Sequence, residues 1–501
     1  MGFFVYIRSA RSKIDQSRYR YRLKKSIEEI DLYFLKHPAL RFSLLFLIGT
    51  TLNLKVLIPH TLLWSICRYR DKYLLSLLVP LIGLINFQLN SPTSISSDSL
   101  IKGCGLFRIE SIRSPSKNLY LYKGKFKRFC SNEKCYNNIS CTIAFRGKER
   151  PNASYDYFIE GSLKNCSNRF ISFKPKKNLK WSKEFKRRNF NETRFKLKQS
   201  LKHMLSKKLK DSLSRSLITS LITGEVDNKL LRFSFARLGL SHVLAISGFH
   251  FALVIAFFSF FLNKVLPKKL FLVALVIVAV LYFLFIGMTP SVFRAFTLVV
   301  MYIVAKLFAK NALSMNLMGF SMLLNLIFMP NDAYHLGFQL SYLSYSSIII
   351  FYPLVFDFLK KIIHDHDVKE LSLISKNVYL VLKYFRCAIS LNLAVSLPLF
   401  PVLLFYFSKF PLYSLVYNLF IPLFISFLLY LVILAMFAPF LFYFVNLFSK
   451  FLLRVILYPP TICEYVVIYK GLSINLLLIF LTGSFLFAVL YSRRKQLELG
   501  F

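Results

Sequence analysis

The C-terminal half of the chain, from about residue 240 onward, is an almost continuous series of apolar segments. Nine stretches in it suit a hydrocarbon core of about 30 Å: residues 242–262, 270–288, 291–309, 312–329, 335–356, 379–407, 412–438, 441–458 and 473–491. Of all residues, 55% are apolar, and the mean hydropathy is +0.51. The sequence therefore predicts an α-helical polytopic membrane protein with about nine to twelve transmembrane helices.

The distribution of Lys and Arg predicts which side of the membrane each loop occupies. Short basic loops around Lys264 and Lys306, the loop 357–378 and the basic residues after 492 are expected in the cytosol. By the same rule, residues 1–38 form a basic cytoplasmic tail, 39–90 the N-terminal transmembrane segments and 493–501 a cytoplasmic tail. Lys450 and Arg454 lie one helical turn apart within a would-be span, which favours an interfacial position for that segment.

Residues 91–195 form a polar insertion that contains no stretch long enough to cross a bilayer. Because residues 74–89 cross outward, the insertion is expected outside the cytosol. Five runs in it have strand-like alternation or strand-rich composition: 105–112, 117–126, 138–146, 155–163 and 167–173. Five short strands predict a small β-barrel that is OB-like, and such folds bind single-stranded nucleic acid in many proteins.

The insertion and the segment after it are strongly basic. Residues 100–212 contain 29 Lys and Arg against 8 Asp and Glu. Phosphates and stacked bases favour this mixture of cations and aromatic rings, although an anionic lipid surface or a general compositional bias explains it as well. The candidate DNA-binding residues are Lys123, Lys125, Lys127, Arg128, Phe126, Phe173 and Trp181.

Five of the eight cysteines lie inside the insertion. They are Cys104, Cys130, Cys135, Cys141 and Cys166. Disulfides in an oxidising space compete with a metal site, but the spacing of Cys130, Cys135 and Cys141 lacks the paired knuckles that zinc favours. We therefore expect disulfides and no metal, with inert thiols as the remaining alternative.

Leucines recur every four residues after the insertion, from Leu197 to Leu217, with lysines between them. This spacing predicts one basic amphipathic helix over 196–222 at the membrane surface. A helix that packs on the neighbouring domain and exposes its basic face is the alternative.

Polar residues inside the predicted spans cluster instead of scattering. Unpaired polar groups are costly in hydrocarbon, so these residues are expected to face a hydrated path or protein. The first groups are His242, Ser247, Gly248 and His250, followed by Ser291 and Arg294 after Pro290. Asp332, His335, Gln339, Tyr342 and Ser346 follow at spacings that predict one helical stripe. For Arg294, extension to the outer interface or pairing with Asp332 remain alternatives.

No local pattern in the sequence predicts catalysis. H-E-x-x-H, nucleophile-elbow and P-loop patterns are absent, and the run from His364 to Asp367 lacks the last two ligands of an H-x-H-x-D-H nuclease signature. We therefore expect no enzymatic activity, no catalytic residue and no cofactor. A membrane metallohydrolase, with nitrogen ligands from His242, His250 and His335 and an oxygen ligand from Asp332, is the alternative.

Three ordered motifs give the chain a family resemblance. They are Gly239-Leu240-Ser241-His242-x-Leu244-Ala245-x-Ser247-Gly248-x-His250, then Pro290-Ser291-x-x-Arg294-Ala295, then Gly337-Phe338-Gln339-Leu340-Ser341. In type and order they are similar to motifs of the ComEC-type competence proteins, the inner-membrane DNA channels of natural transformation. The resemblance covers roughly 215–440 well and adds Ser341 to the path residues.

The resemblance implies a function and partners. Residues 223–492 would form a channel core that takes single-stranded DNA into the cytosol from the bacterial inner membrane. A cytosolic helicase-like motor and an outer DNA receptor or pilus would assist, and membrane lipids and a homo-oligomer are further expectations. Many members carry a C-terminal metallo-β-lactamase-like domain, which is expected to be lacking because the last span ends near Tyr491. A secondary transporter or lipid or small-molecule exporter, and a membrane-anchored DNA-binding protein, are the alternatives.

Overall fold

The fold is that of a computed structural model, which describes most of the chain. The described residues are 37–51, 73–90, 100–116, 118–131, 134–147, 150–167, 170–176, 181–186, 190–244, 246–310, 313–365, 373–460, 466–469 and 471–498. The predicted N-terminal tail therefore lies almost wholly outside the described residues, as do residues 52–72.

The described chain is mostly helical, with one β-sheet region. The sheet strands are β1 (Leu100–Ser116), β2 (Leu119–Cys130), β3 (Cys135–Arg146), β4 (Tyr155–Ser167), β5 (Phe170–Pro175) and β6 (Ser182–Lys186). The helices are α1 (Pro38–Thr51), α2 (Tyr73–Asn90), α3 (Phe190–Lys208), α4 (Ser212–Thr223), α5 (Lys229–Arg237), α6 (Ser241–Leu244), α7 (Gly248–Val265), α8 (Lys268–Ile286), α9 (Pro290–Leu307), α10 (Ser314–Phe328), α11 (Leu336–Lys360), α12 (Leu373–Phe407), α13 (Ser414–Phe437), α14 (Phe442–Leu457) and α15 (Ile474–Glu498). Short 3-10 helices cover Pro330–Tyr334 and Pro439–Leu441, and three-residue strands cover Lys409–Pro411 and Val466–Ile468.

The chain forms two compact units, each built from separate parts of the sequence. Unit 1 comprises Met1–Ile85, Ala309–Phe410 and Val467–Phe501, and unit 2 comprises Asn86–Phe308 and Pro411–Val466. The sheet and helices α3–α9, α13 and α14 belong to unit 2, whereas α10–α12 and α15 belong to unit 1.

The strands pair in the order β1-β2-β3-β5-β4-β6, and β4 also pairs with β1. The pairings among the first five strands therefore return to the strand from which they began. All are antiparallel except β3 with β5. Fully buried rings and aliphatic side chains, including Phe107, Phe126, Ile143 and Leu163, form the core between them.

Each of the five predicted strand runs corresponds to one of the strands β1–β5, although the observed strands are mostly longer. The sixth strand, β6, was missed by the sequence reasoning. Every one of its five positions is exposed, so its sequence has no apolar alternation to mark a strand.

One predicted disulfide is present in the sheet. Cys130 and Cys135 are directly opposite each other at the β2–β3 hairpin, with Cα atoms 4.1 Å apart, and their sulfurs are bonded. Cys104 pairs in register with Cys130 but keeps a free thiol, because Cys130 is already bonded to Cys135. Cys141 is also a free thiol and points into the core. The side chain of Cys166 lies outside the described residues.

The structure divides the predicted amphipathic helix over 196–222 into α3 and α4. The break falls at 209–211, where Asp211 accepts a hydrogen bond of 2.7 Å from the backbone N–H of Ser214 and caps the start of α4. An Asp that satisfies an otherwise unpaired amide favours a new helix start over continuation of the old helix. The four-residue leucine spacing continues through this break, so it could not reveal it.

Seven of the described helices are long and apolar enough to cross a membrane by length and composition: Gly248–Val265, Lys268–Ile286, Pro290–Leu307, Leu336–Lys360, Lys376–Phe407, Ser414–Phe437 and Pro439–Leu457. Four shorter apolar helical segments cover Pro38–Leu47, Val79–Gln88, Ser314–Phe328 and Ile474–Phe487. The count of long helices is lower than the nine to twelve predicted, because these four segments are shorter than a full span. The chain is a multi-pass membrane protein.

Two clusters in unit 2 hold its helices together. The first packs α4–α6 against α13 and α14, with Leu217, Ile425 and Val445 fully buried. The second packs α7, α8 and α9 on one another, with Phe251, Ala279 and Val292 fully buried. Lys450 and Arg454 lie within the candidate span of α14 on its exposed side, so their predicted interfacial position stays a prediction.

Candidate functional site

The start of α7 is built around a buried histidine. Ser247 has an extended backbone and precedes the first helical residue, Gly248. The backbone N–H of Ser247 donates to His250 Nδ1 over 3.5 Å, and Ser247 Oγ lies 3.4 Å from the same nitrogen. This is the reciprocal contact of a capping box, with His at the position where Glu or Gln is usual. His250 is fully buried, so it fixes the helix start and is closed to solvent.

Arg294 of α9 lies against Gly248. An ideal Cβ atom at Gly248 would be 3.0 Å from Arg294 Nη2 and 3.5 Å from Ala295 Cβ. A Cβ atom at this position would crowd the guanidinium group, so glycine gives it the most room. The sequence placed Gly248 and Arg294 in one predicted path, and the structure brings them into contact.

Helix α9 begins with Pro290 at its first position and Ser291 in its first turn, both partly exposed. Unpaired N–H groups give helix N-termini a partial positive charge, and Pro is favoured there because its missing N–H has no partner to lose. The first turns of α7 and α9 therefore combine with the Arg294 guanidinium into a positive region at the ends of two apolar helices. Such a region attracts phosphate or carboxylate groups.

His242 is placed differently from His250. It lies on the short helix α6 and is exposed. The two histidines, eight positions apart in the sequence, are thus not equivalent. His242 has the accessibility that a path-lining residue requires, and His250 does not.

The remaining predicted path residues lie in unit 1, where the predicted stripe is corrected. Helix α11 begins at Leu336, and Asp332 belongs to the preceding 3-10 helix. His335 caps α11, its Nδ1 accepting the N–H of Gly337 over 3.1 Å. Because the chain turns at His335, the helical spacing from Asp332 does not continue onto one helix face.

Gln339 is the polar centre of this group. Its Nε2 donates to the carbonyl oxygen of Ala333 over 3.0 Å, and its Oε1 accepts a hydrogen bond of 2.7 Å from the hydroxyl of Tyr406. Ser341 is buried, and the hydroxyl of Tyr342 lies 3.2 Å from Ser321 Oγ. Gln339 and Tyr406 offer neutral hydrogen-bonding groups at a partly exposed position.

Sequence reasoning missed Tyr406, which lies in an apolar run with nothing to distinguish it from its neighbours. It also missed Arg386, which is 1% exposed on α12 and pairs with Asp365 at 2.5 Å. Asp365 was considered only as part of the His364–Asp367 loop. Its ion pairs with Arg386 and Lys360 give this acidic residue a structural role. His366 and Asp367 lie outside the described residues.

The aromatic residues predicted to stack bases in the β region are not available for it. Phe126 and Phe173 are buried in the core, and Trp181 packs edge-on against Phe107 and Tyr157. The predicted cations, in contrast, are accessible to solvent. Lys123, Lys125 and Arg128 are exposed and Lys127 is partly exposed.

Within the described residues, no group of three or more His, Cys, Asp or Glu side chains is arranged to hold a metal ion. The candidate site contains the Arg294 guanidinium, the carboxylate of Asp332 and several uncharged polar side chains.

Comparison with known proteins identifies the family. A family model described as "Competence protein" matches residues 224–495. This match contains the starts of α7 and α9, Arg294 and Gln339. No curated protein and no solved structure matches the chain. Because the matched region is more than half of the 501 residues, the chain belongs to the competence protein family.

Proposed function

We propose that this protein is a channel that carries single-stranded DNA across the bacterial inner membrane into the cytosol during natural transformation. The family gives DNA uptake in general, and the finer assignment depends on one observation. The guanidinium of Arg294 lies against Gly248, at the start of α7 and in the second turn of α9. Both helices are candidate membrane spans.

A cation within a candidate membrane span carries an energetic cost that its function has to offset. An Arg within a lipid-facing helix costs about 2.5–3.5 kcal/mol on insertion scales, less near an interface. A polyanion that passes in steps offsets that cost, because each phosphate in turn contacts the guanidinium and the positive helix ends. The same reasoning assigns His242, Ser247, Ser291 and Arg294 to the path within unit 2.

Transport also requires release. Sites that bind an ion or strand too strongly hold it, so conduction favours weak contacts at several points. Ser341 is buried, whereas Gln339, His335 and Asp332 in unit 1 are exposed or partly exposed polar residues with no guanidinium or ammonium group. In our proposal they offer hydrogen-bonding groups within unit 1 that contact bases and sugars without trapping phosphates.

We further propose that strands β1–β5 form an OB-like barrel outside the cytosol that receives the DNA. Support comes from the cyclic pairing order, in which β4 pairs with both β5 and β1. The chain itself would make and break no covalent bond. A helicase-like motor in the cytosol would supply the energy, an outer receptor or pilus would deliver DNA, and a different protein would degrade the other strand.

The experiment compares Arg294→Ala and Arg294→Lys with Lys306→Ala, a matched cation near the C-terminal end of the same helix. Cells receive fluorescent DNA, and DNA bound at the surface is measured separately from DNA that reaches the cytosol. We expect Arg294→Ala to lower cytosolic arrival at least tenfold with surface DNA unchanged, Arg294→Lys to retain part, and Lys306→Ala to match wild type. Normal arrival with well-expressed Arg294→Ala would refute the proposal.

A further inference from the structure

The outward face of β1, β4 and β6 carries two exposed aromatic rings. Along β4, Tyr157 and Ile159 point into the core, and Phe158 between them is 44% exposed. Because side chains alternate along a strand, Phe158 shares its face with Asp156 and Glu160. In the neighbouring strand, Leu106 is directly opposite Phe158.

Phe185 of β6 joins the same face. It is paired in register with Asp156 and is 60% exposed. Residues that are directly opposite in an antiparallel pair point to the same side, so Phe185 points to the side of Asp156 and Phe158. A register shift between Asp156 and Tyr157 places Ser182 opposite Phe158, so one irregularity of the strand pairing separates the two rings. We call this surface, made of Leu106, Phe158 and Phe185 on strands β1, β4 and β6, the Phe158–Phe185 face.

Exposed or partly exposed cations adjoin this face on β1, β2 and β4. They are Lys102, Arg108, Lys123, Lys125, Lys127, Arg128 and Lys164. The carboxylates are fewer. Glu110 pairs with Lys125 at 3.3 Å, and Glu184 is exposed beside Phe185 on β6. Asp156 lies 3.6 Å from both Arg108 Nε and Lys127 Nζ, and Glu160 pairs with Lys176 at 3.1 Å. The surface around the two rings is therefore positive.

We propose that the Phe158–Phe185 face binds single-stranded DNA, with bases stacked on the two rings and phosphates held by the surrounding cations. The inference rests on the proposed function, since it takes DNA as the substrate. An exposed aromatic ring presents a face for any base, and base–aromatic stacking with a basic track is the usual basis of sequence-independent single-strand binding. A duplex hides its base faces within the stack, so the rings select single strands.

The positive charge around the two rings favours a single strand of DNA as the occupant of this face. A neutral protein partner would not need the surplus of lysines, whereas a strand with one phosphate per nucleotide does. Phe158 and Phe185 take the base-stacking role that the sequence predicts for Phe126, Phe173 and Trp181, because those three residues pack in the core. A lipid surface would fit the same charge, so the test must separate lipid from DNA.

The test uses the purified full-length protein in lipid nanodiscs and a fluorescent oligothymidylate. Phe158→Ala and Phe185→Ala are each expected to weaken binding about tenfold, with affinity for a duplex of equal length unchanged. Phe158→Leu and Phe185→Leu keep apolar area but lose the aromatic face, and are expected to behave like the Ala variants. The matched control is Phe190→Ala, because Phe190 is 62% exposed but begins α3 instead of lying on this face.

Salt dependence separates the two kinds of contact. The Phe variants are expected to keep the wild-type slope of affinity against salt, since no phosphate contact is lost. Lys102→Gln, which alters an exposed lysine of β1, is expected to lower the slope by about 0.7 per lost phosphate contact on a single strand. Equal single-strand affinity in wild type and both Phe→Ala variants would refute the inference.

Phe185→Trp distinguishes the rival occupant. Its fluorescence is expected to be quenched by oligothymidylate and not by brominated lipid in the nanodisc. Quenching by lipid without a response to DNA would overturn the inference and assign the face to the membrane. These binding measurements involve no transport. If they show no effect, the Arg294 uptake experiment can still support the proposed channel function. If the Arg294 experiment shows no effect, the binding measurements still report whether this face binds single-stranded DNA.

Discussion

The Arg194 side chain of α3 donates its Nε hydrogen to the carbonyl oxygen of Leu284 over 2.8 Å, at the C-terminal end of α8. One turn further along α3, Lys198 Nζ donates to the carbonyl oxygen of Ile286 over 3.3 Å. The last carbonyls of a helix have no partner within it and carry partial negative charge, so cations are favoured there. Gly287 follows with φ +100°, and a Cβ atom at it would lie 2.9 Å from Arg194 Nη1.

The same helix is attached to the β region. Asn191 Nδ2 donates to the carbonyl oxygen of Ile109 over 3.1 Å, and Phe195 packs in the core of the strands. Glu192 forms an ion pair with Arg150 and accepts the N–H of Ala153 over 3.0 Å. Helix α3 therefore connects the strands to the α8–α9 turn, and α9 carries Arg294.

Arg194→Ala is expected to loosen the α8–α9 turn without unfolding the strands. Hydrogen exchange over residues 284–294 should become about tenfold faster, because the turn loses its hydrogen bond to α3 and opens more often. Exchange in β1–β4 should stay unchanged. Cytosolic arrival of DNA should fall with surface DNA constant, since Arg294 would be displaced and not removed.

Arg194→Lys keeps a cation that can donate to the carbonyl oxygen of Leu284. It is therefore expected to retain part of the protection from hydrogen exchange over residues 284–294 and part of the cytosolic arrival of DNA. Lys207→Ala, which alters an exposed lysine in the last turn of α3, is the matched control and should match wild type. Unchanged exchange over 284–294 in Arg194→Ala would show that α3 does not hold the turn.

A buried charge cluster at α3 predicts an unusual pH dependence. Lys198 lies 3.6 Å from Glu225, and Lys202 lies 2.8 Å from Glu225 and 2.8 Å from Asp227. Burial lowers the pKa of Lys198 from its ordinary value of 10.5 to about 8, against the attraction of Glu225. Burial also opposes the charge on Lys202, but Glu225 and Asp227 outweigh it and raise the pKa of Lys202 above its ordinary value.

The two lysines act in opposite directions. Between pH 8 and 10.5 the unfolded chain keeps the Lys198 proton while the folded chain loses it, so the Lys198 contribution to stability rises with pH. The Lys202 contribution is lost only as pH rises above 10.5. In thermal unfolding, Lys198→Met should lack the rise expected for wild type between pH 8 and 10.5, and its stability at pH 7 should equal or exceed that of wild type.

Glu225→Gln tests the same cluster from the other side. It leaves two buried cations with a weaker partner and is expected to destabilise by roughly 3 kcal/mol, as when a buried ion pair is broken. Equal destabilisation by Lys198→Met and Glu225→Gln at pH 7 would contradict this account of the cluster.

Parts of this architecture were predictable from the sequence. The spans and the first five strands follow from hydrophobic period, and the polar residues near Arg294 stand out because their surroundings are apolar. The burial of Phe126 was also predictable. Lys125 and Lys127 flank it in a strand, and alternation that exposes the lysines turns Phe126 inward.

Other parts were not predictable. Arg194 and Leu284 are 90 residues apart, and Arg194 lies in a basic segment where each cation resembles a solvated one. Nothing local distinguishes Arg194, which contacts a helix end, from Lys207, which is exposed. The break at Asp211 was hidden because the leucine spacing passes through it unchanged. Contacts set by tertiary packing leave little trace in local sequence.

Gly248→Ala is expected to impair DNA passage with little effect on folding. The added methyl group would lie 3.0 Å from Arg294 Nη2, and the flexible end of the Arg side chain can move away at low cost. Stability should change by less than about 1 kcal/mol, but the guanidinium would be pushed a few tenths of an ångström away from the start of α7. Cytosolic arrival of DNA should fall about tenfold, with normal membrane levels of the protein.

Gly483→Ala is the matched control for this substitution. Gly483 lies in α15, and a Cβ atom at it would meet no atom within 4 Å. It should leave uptake unchanged. Wild-type uptake in Gly248→Ala would mean that the position of Arg294 against Gly248 does not matter for passage.

The Asp365–Arg386 pair predicts acid sensitivity in unit 1. Arg386 is almost fully buried, donates from Nη1 to the carbonyl oxygen of Ile363 over 2.6 Å, and lies 4.7 Å from the centre of the Phe356 ring. Hydrogen bonds from Lys360 and Arg386 hold the pKa of Asp365 well below its usual range. The stability that this carboxylate contributes is therefore present above pH 4 and is lost as pH falls below its ordinary pKa of about 3.9 towards the lower folded value.

Asp365→Asn should lower the unfolding temperature at neutral pH, because it leaves the buried guanidinium of Arg386 without its carboxylate partner. It should also remove the part of the acid sensitivity below pH 4 that Asp365 contributes. His364→Ala, at the exposed neighbouring position of the same loop, controls for disturbance of the loop and should unfold like wild type. Thermal unfolding of the purified protein across pH 2.5–7 measures both effects, and an Asp365→Asn variant as stable as wild type at pH 7 would show that the Asp365 carboxylate is dispensable for burying Arg386.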